Sequence, residues 1–331
     1  MNRFTPERLK FLFDAFSGKT VMVIGDLMLD RYFWGKVTRI SPEAPVPVVE
    51  IDSESSRLGG AANVSHNVLS LGAKAVPVGI VGSDAEGDLL RRMFRERGFP
   101  TEGILTDAGR ATTVKTRVIA HHQHVVRTDR EVRDAISKAM QDRLLEFFES
   151  RLDGLDGIIL EDYNKGLLVP EFIVRVVKRA QEKRKMVFVD PKYDHFFDYR
   201  GVTLFKPNLK ETSDRLGLRL NTEAALHGAI QTLLERLDCR CVLITLGEQG
   251  MMLQERGRAV MKVPTRAVKV HDVSGAGDTV IAVMAVVMTA GGTMEEAAVI
   301  ANHAAGIVCG EVGIVPVDRG ILFQKLAEEA G

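Results

Sequence analysis

Short apolar runs alternate with longer amphipathic stretches along most of this chain, and that rhythm leaves few folds open. TVMVIG (20–25), KAVPVGIVG (74–82), GLDGIIL (154–160), KMVFVD (185–190) and CRCVLITLG (239–247) read as strands covered on both faces. Between them, periodicity predicts helices near 59–71, 84–97, 135–151, 170–183, 221–236, 276–290 and 294–308. Strand and helix in that order imply right-handed crossovers and a mainly parallel sheet under helices, an α/β protein. No repeat of solenoid length and no low-complexity tract divides the 331 residues, so one domain over 1–331 is expected.

Two segments break the rhythm. Residues 30–52, DRYFWGKVTRISPEAPVPVVEID, hold three prolines in six residues and no helical period; residues 112–130, TTVKTRVIAHHQHVVRTDR, place β-branched runs around a polar HHQH turn. Both are expected as β-strands outside the main sheet. Paired with each other, they would form a small lid over the carboxyl ends of the central strands, where open α/β sheets bind ligands.

Composition narrows the partners. Lys plus Arg and Asp plus Glu both total 44, so there is no basic surplus for a nucleic-acid backbone, and no nucleic-acid partner is expected. The apolar run Val280–Met288 is far shorter than the roughly 20 residues a membrane span needs and reads as a buried helix. Glu7 and Asp14 interrupt the apolar positions of the N-terminal stretch, unlike a secretory signal, so a cytoplasmic protein with no membrane partner is expected. Cys239, Cys241 and Cys309 form no disulfide framework and are expected to be small buried hydrophobes, the first two facing the same way on a strand.

The sharpest chemical signal is HDVSGAGDT (271–279) before a long apolar helix. Glycines at a helix start leave backbone N–H groups free at the positive end of the dipole, which suits an anion. Asp278 inside such a turn repels an anion and needs a reason. Phosphoryl transfer supplies one, with N–H groups holding the moving phosphoryl group while a carboxylate accepts the proton of the attacking hydroxyl. The alternative is a simple helix cap. A Walker A loop fails, because Gly18-Lys19-Thr20 has Phe13 where the first glycine must stand; a dinucleotide fingerprint fails at Val280.

Other polar clusters fall at strand ends or helix starts. Gly59-Gly60-Ala61-Ala62-Asn63 opens a helix, with glycines that admit a ligand to the backbone and an amide suited to sugar hydroxyls. Asp26 and Asp30 add carboxylates at the same edge, either for hydroxyls or as caps and ion-pair partners. Asp190 and Lys192 follow another strand, the lysine offering a point charge for phosphate. Asn208 and Glu211, one helical turn apart, suit Mg²⁺ held through water, or else a capping turn. Thr245, Gly247 and Gly250 follow a further strand. In His121-His122-Gln123-His124 no cysteine or carboxylate cluster completes a metal site, and a hairpin turn explains it equally well.

GGAANVSHNVLSLGA and HDVSGAGD, in that order and separation, resemble the two signatures of the ribokinase-like (PfkB) carbohydrate kinases. The resemblance covers nearly the whole chain and implies a three-layer α/β/α domain with a small β-strand lid. It makes Asp278 the base and Gly275, Ala276 and Gly277 the anion hole. Asp30, Gly59, Gly60 and Asn63 then lie at the sugar, with Asp190 and Lys192 as further substrate contacts. Asn208 and Glu211 fall in the Mg²⁺-nucleotide region, Thr245, Gly247 and Gly250 at ATP, and Asn302 near the adenine. A homodimer through the lid strands is also implied. Within the family, GDLMLDRYFWGKVTRISPEAPVPVVEI, DPKYDHFFDYRG and KPNLKE are similar to the branch acting on the anomeric 1-hydroxyl of heptose 7-phosphate, in lipopolysaccharide-core heptose supply. Some of those relatives carry a C-terminal nucleotidyltransferase with an H-x-G-H motif, which is lacking here, so the kinase alone is expected. A kinase of fructose or tagatose phosphate is the nearest alternative; an oxidoreductase or a non-catalytic sugar sensor is remote.

Overall fold

The computed structural model describes residues 4–121, 123–265 and 270–330. In chain order the elements are α1 (Pro6–Phe16), β1 (Thr20–Gly25), β2 (Leu27–Ile40), β3 (Pro47–Gly60), α2 (Ala61–Ser70), β4 (Lys74–Gly82), α3 (Ala85–Glu96), β5 (Ile104–Asp107), β6 (Thr113–Ala120) and β7 (Gln123–Arg130). The second half runs α4 (Lys138–Arg151), β8 (Gly157–Glu161), α5 (Pro170–Glu182), β9 (Met186–Asp190), β10 (Leu204–Phe205), α6 (Leu209–Leu216), α7 (Glu223–Leu237) and β11 (Cys241–Thr245). It closes with β12 (Met251–Glu255), β13 (Met261–Val263), α8 (Ala276–Thr289), α9 (Met294–Val308) and α10 (Arg319–Ala330).

The main sheet has the order β13-β12-β11-β10-β9-β8-β1-β4-β5. It is parallel from β11 to β5, whereas β12 and β13 run antiparallel as an edge meander that the crossover rhythm did not reveal. Alternate side chains of β1 feed opposite cores. Val21 and Val23 pack with α1, α2, α8 and α9; Met22 and Ile24 pack with α4, α5 and α7. That division makes the expected three layers. Every residue of α8 from Asp278 to Thr289 is buried, so a helix apolar on all sides becomes the central helix of one layer.

Cys239 and Cys241 lie in opposite cores, contrary to the expectation that they face one way. Strand β11 begins only at Cys241, so the two-residue alternation does not extend back to Cys239. All three cysteines are buried and unpaired, as expected.

The irregular segments form a second sheet of order β3-β2-β6-β7, the lid. β2 and β6 pair in parallel from Met28↔Thr113 to Gly35↔Ala120, and β2 and β3 form a long antiparallel ribbon. These strands reach further than the sequence suggested: β2 starts at Leu27, directly after β1, and β3 runs to Gly60, directly before α2. The lid is therefore a continuation of main-sheet elements, which ties its root to the strand ends. β6 and β7 pair as an antiparallel hairpin, with His121 in left-handed conformation and His124 paired to Ile119; His122 of the HHQH stretch lies outside the described residues.

Candidate active site

Helix α8 starts from Gly275, which sits at φ 80°, ψ 0°, a conformation glycine adopts without strain. A Cβ there would come within 2.9 Å of Asn63 Nδ2. Among the described residues, no backbone acceptor meets the amides of Gly275, Gly277 and Asp278, while the Ala276 amide turns back to Val273 O at 3.3 Å. The anion hole expected from Gly275, Ala276 and Gly277 thus has free donors at its two glycines, whereas the Ala276 amide is engaged within the turn.

Asp278 is 3% exposed. It caps nothing; its carboxylate accepts from Asn63 Nδ2 (2.8 Å) on one oxygen and from the Tyr163 hydroxyl (2.7 Å) on the other. Burial lifts its pKa to about 6, against those two hydrogen bonds, which favour the charged form. The carboxylate is thereby ionised near neutral pH yet basic enough to accept a proton. Asn63 is itself fixed through Asn67 on the next turn of α2. Asn67 Nδ2 donates to Asn63 O (3.0 Å), and Asn67 Oδ1 accepts from Thr279 Oγ1 (3.2 Å) and Val317 N (3.0 Å). Helix α2 is in this way bolted to the start of α8 by two adjacent asparagines.

Beside Asp278 the ends of β8 and β9 bring Glu161 and Asp190 together. Ligand oxygens of Glu161, Asp190 and Asp278 lie within 4.8 Å of one another. Both carboxylate oxygens of Glu161 are buried and have no hydrogen-bond partner among the described residues, and desolvation with neighbouring negative charge pushes its pKa well up. Lys206 neutralises Asp190 at 2.6 Å. An orphaned, buried carboxylate next to a second one fits a divalent cation, bound directly or through water.

Asn208 and Glu211, where Mg²⁺ was expected, form a capping box at the start of α6. Asn208 Oδ1 accepts from Glu211 N (2.8 Å), and Glu211 Oε2 accepts from Asn208 N (2.9 Å). The remaining Glu211 oxygen takes Lys192 Nζ at 2.5 Å. The cap that the sequence left open as an alternative is therefore present, and Glu161 and Asp190 form a separate acidic cluster. Neighbouring acids Asp190 and Glu211 raise the Lys192 pKa, so the ammonium stays charged. Asn208, Asp190, Lys192, Thr245, Gly247, Gly275, Gly277 and Asp278 all line one open cleft of about 860 Å³.

A second, narrower cleft of about 240 Å³ adjoins the first through shared walls at Thr245, Gly247 and Gly277. Gly250, Ala276 and Asn302 lie on it, with Val270, Val280 and Met251 among its apolar wall residues. Asn302 Nδ2 donates to Pro264 O at 2.7 Å, so its amide is engaged with the protein. The geometry suits a flat apolar group in the narrow cleft, joined to an anionic one in the wide cleft.

The sugar-edge residues split. Asp30 is 1% exposed and forms a buried ion pair with Arg117, while its Oδ2 finds no partner among the described residues. Gly59 on β3 pairs with Met28, two residues before Asp30, and a Cβ there would overlap that oxygen. Gly60 carries φ 55° at the turn into α2. Asp26 takes the structural alternative. Its Oδ2 accepts the amides of Tyr163 (2.8 Å) and Lys165 (3.1 Å), pinning the loop after β8.

Glu161, Tyr163, Asn67 and Lys206 belong to the site although sequence reasoning gave them no role. The first two stand in EDYNKG directly after the apolar run GIIL, a polar tract at a parallel strand end that could have marked them.

Comparison with known proteins gives the family and the fold. A family model described as pfkB family carbohydrate kinase matches residues 19–317. The chain is 42% identical over 314 residues to a protein of Desulfatibacillum aliphaticivorans named Bifunctional protein HldE, covering 95% of this chain and 64% of that one. It is 43% identical over 295 residues to the protein of the same name from Helicobacter pylori strain HPAG1, covering 89% and 64%. The chain thus spans less than two thirds of the length of these relatives. Among solved structures, phosphofructokinase-2 from Escherichia coli in complex with potassium superposes with TM-score 0.76 at 18% identity, covering 94% of this chain and 99% of that one. Arabidopsis thaliana ribokinase complexed with ribose and ATP gives 0.73 at 19%, covering 93% and 98%. The chain belongs to the pfkB family of carbohydrate kinases, and is a sugar kinase with the ribokinase-like α/β fold.

Proposed function

We propose that this sugar kinase transfers the γ-phosphoryl group of ATP to the anomeric 1-hydroxyl of D-glycero-β-D-manno-heptose 7-phosphate, giving heptose 1,7-bisphosphate and ADP. The observation that carries the transfer chemistry is Asp278, buried between two donors beside free amides at the start of α8. The choice of sugar is supported by the similarity of residues 25–51 to the heptose-phosphate branch and by the relatives at 42–43% identity.

Asp278 takes the proton of the 1-hydroxyl as its oxygen attacks the γ-phosphorus, and the bond to the ADP oxygen breaks. The Gly275 and Gly277 amides donate to the oxygens that gain charge in the transfer. Lys192 and Lys206 hold positive charge at the same cleft. Glu161 and Asp190 would hold Mg²⁺, which when bound neutralises nucleotide phosphate charge. The narrow cleft receives adenine against its apolar wall near Asn302. At the other edge, the orphaned Asp30 oxygen and the Asn63 side chain meet sugar hydroxyls, and closure of the lid excludes water as a rival nucleophile.

Exposed apolar residues on the lid, Ile40 at the end of β2 (61% exposed) and Ile51 and Val126 on the outer strands (each 48%), support a homodimer formed through the lid. No helix among the described residues is long and apolar enough to cross a membrane. The same reading makes this a cytoplasmic enzyme supplying lipopolysaccharide-core heptose.

The test is a coupled ADP-release assay with MgATP and a panel of heptose 7-phosphate, fructose 6-phosphate, fructose 1-phosphate and ribose, with Asp278→Asn as the blank. Saturable turnover with the heptose phosphate alone is expected. Turnover with a different sugar instead would overturn the acceptor, and turnover by the blank near the wild-type rate would remove Asp278 as the base.

A further inference from the structure

The loop after β8 delivers one side chain into the base that neither family signature contains. Tyr163 stands on the cleft wall, and its hydroxyl lies 2.7 Å from Asp278 Oδ1, while Asn63 holds Oδ2. The loop that carries it is anchored at every residue. The Tyr163 and Lys165 amides donate to Asp26, the Asn164 amide donates to Asp162 (2.8 Å), and Lys165 Nζ meets Glu131 at 2.6 Å. Asn164 accepts φ 54° to make the turn. On its face, the Tyr163 ring receives the Lys192 ammonium at 5.2 Å, a cation–π contact that fixes its plane. A tyrosine held from its backbone, its face and its hydroxyl has one aim.

We propose that Tyr163 is the positioning residue for the base: its hydroxyl fixes one oxygen of Asp278 so that, with Asn63 on the other, the carboxylate presents a single orientation to the acceptor hydroxyl. Each carboxylate oxygen has two lone-pair directions, so one donor on each leaves the remaining directions for the acceptor. At 2.7 Å from a carboxylate oxygen that has no proton of its own to give, the phenol hydroxyl is the donor of the pair. Its hydrogen bond favours the charged form of Asp278 and opposes the effect of burial.

This inference rests on Asp278 being the base, and the experiment separates the two claims. In the full chain, with the acceptor that the panel above identifies, Tyr163→Phe is expected to move the acid limb of kcat/KM upward by about one pH unit, the size of one lost charge-assisted hydrogen bond. It is also expected to lower kcat by roughly tenfold while the KM for ATP stays unchanged. In an Asp278→Asn background the same change should leave the residual rate within about twofold, since the two side chains act as a unit. An acid limb that stays in place, or an equal loss in both backgrounds, overturns the role of Tyr163. If Asp278→Asn alone retains near-normal turnover, the base assignment fails instead.

Discussion

Replacing Asp278, the proposed base, should make the protein more stable as it makes it inactive. The Asp278 carboxyl is 3% exposed, and its pKa rises from the ordinary 3.8 to about 6 on folding. At about 1.4 kcal/mol per unit, keeping the charge in the folded protein above pH 7 costs about 3 kcal/mol relative to the unfolded chain. The sign follows from proton binding. The folded state holds this proton more tightly, so stability is highest where both states are protonated and falls as the pH rises from below 4 through about 6. Asparagine has the shape of the protonated acid. Its oxygen can accept from Asn63 Nδ2, and the Tyr163 hydroxyl can turn to accept from its NH₂. Asp278→Asn is therefore expected to be more stable than wild type by up to about 3 kcal/mol at pH 8 and by about half as much at pH 5. Urea unfolding at the two pH values, with m-values compared, measures this directly. A variant no more stable than wild type at pH 8, or a gain equal at both pH values, would refute the claim that the site holds a costly buried charge. The accompanying loss of turnover, about 10²- to 10⁴-fold for a general base, is the functional return on that cost.

Three further outcomes follow from the same geometry. The acid limb of kcat/KM should fall below pH about 6 with the loss of one ionised group, as Asp278 takes up its proton; a flat profile from pH 5 to 8 would exclude it. Gly59→Ala should drive a methyl group into Asp30 and break its pair with Arg117. An unpaired buried charge costs about 3–5 kcal/mol, so a fall in thermal midpoint and a raised acceptor KM are expected, and a variant unchanged in both would count against that packing. Glu161→Gln should raise stability in cation-free buffer, since it removes an unpartnered buried carboxylate, and should raise the half-saturating Mg²⁺ concentration about tenfold; an unchanged Mg²⁺ titration would place the cation elsewhere.

Much of this molecule could be read from the order of its residues. Runs buried on both faces can be strands only in a covered sheet, so β1 and β4 match the predicted segments residue for residue, and the all-apolar stretch after Gly275 had to be an internal helix. Local chemistry was equally legible. A glycine in left-handed conformation opens α8, and the N–H groups of the next turn are free because no helix supplies acceptors for its own start. What the sequence left ambiguous were residues whose role depends on partners far along the chain. Asp26 and Asp30 stand four apart at one strand end with the same chemistry, yet one became a loop anchor, because the amides of Tyr163 and Lys165 arrive from β8. The other stayed a candidate contact, because Arg117 engages only one of its oxygens. Asn208 and Glu211 closed on each other as a cap, while Glu161, unremarkable in its own segment, was left without a partner beside Asp190 and Asp278. Periodicity and turn chemistry act over a few residues and are written locally. Whether a buried carboxylate is satisfied depends on which donors the tertiary fold brings within 3 Å of it, and those lie about 85 to 215 positions away for Asp30 and Asp278.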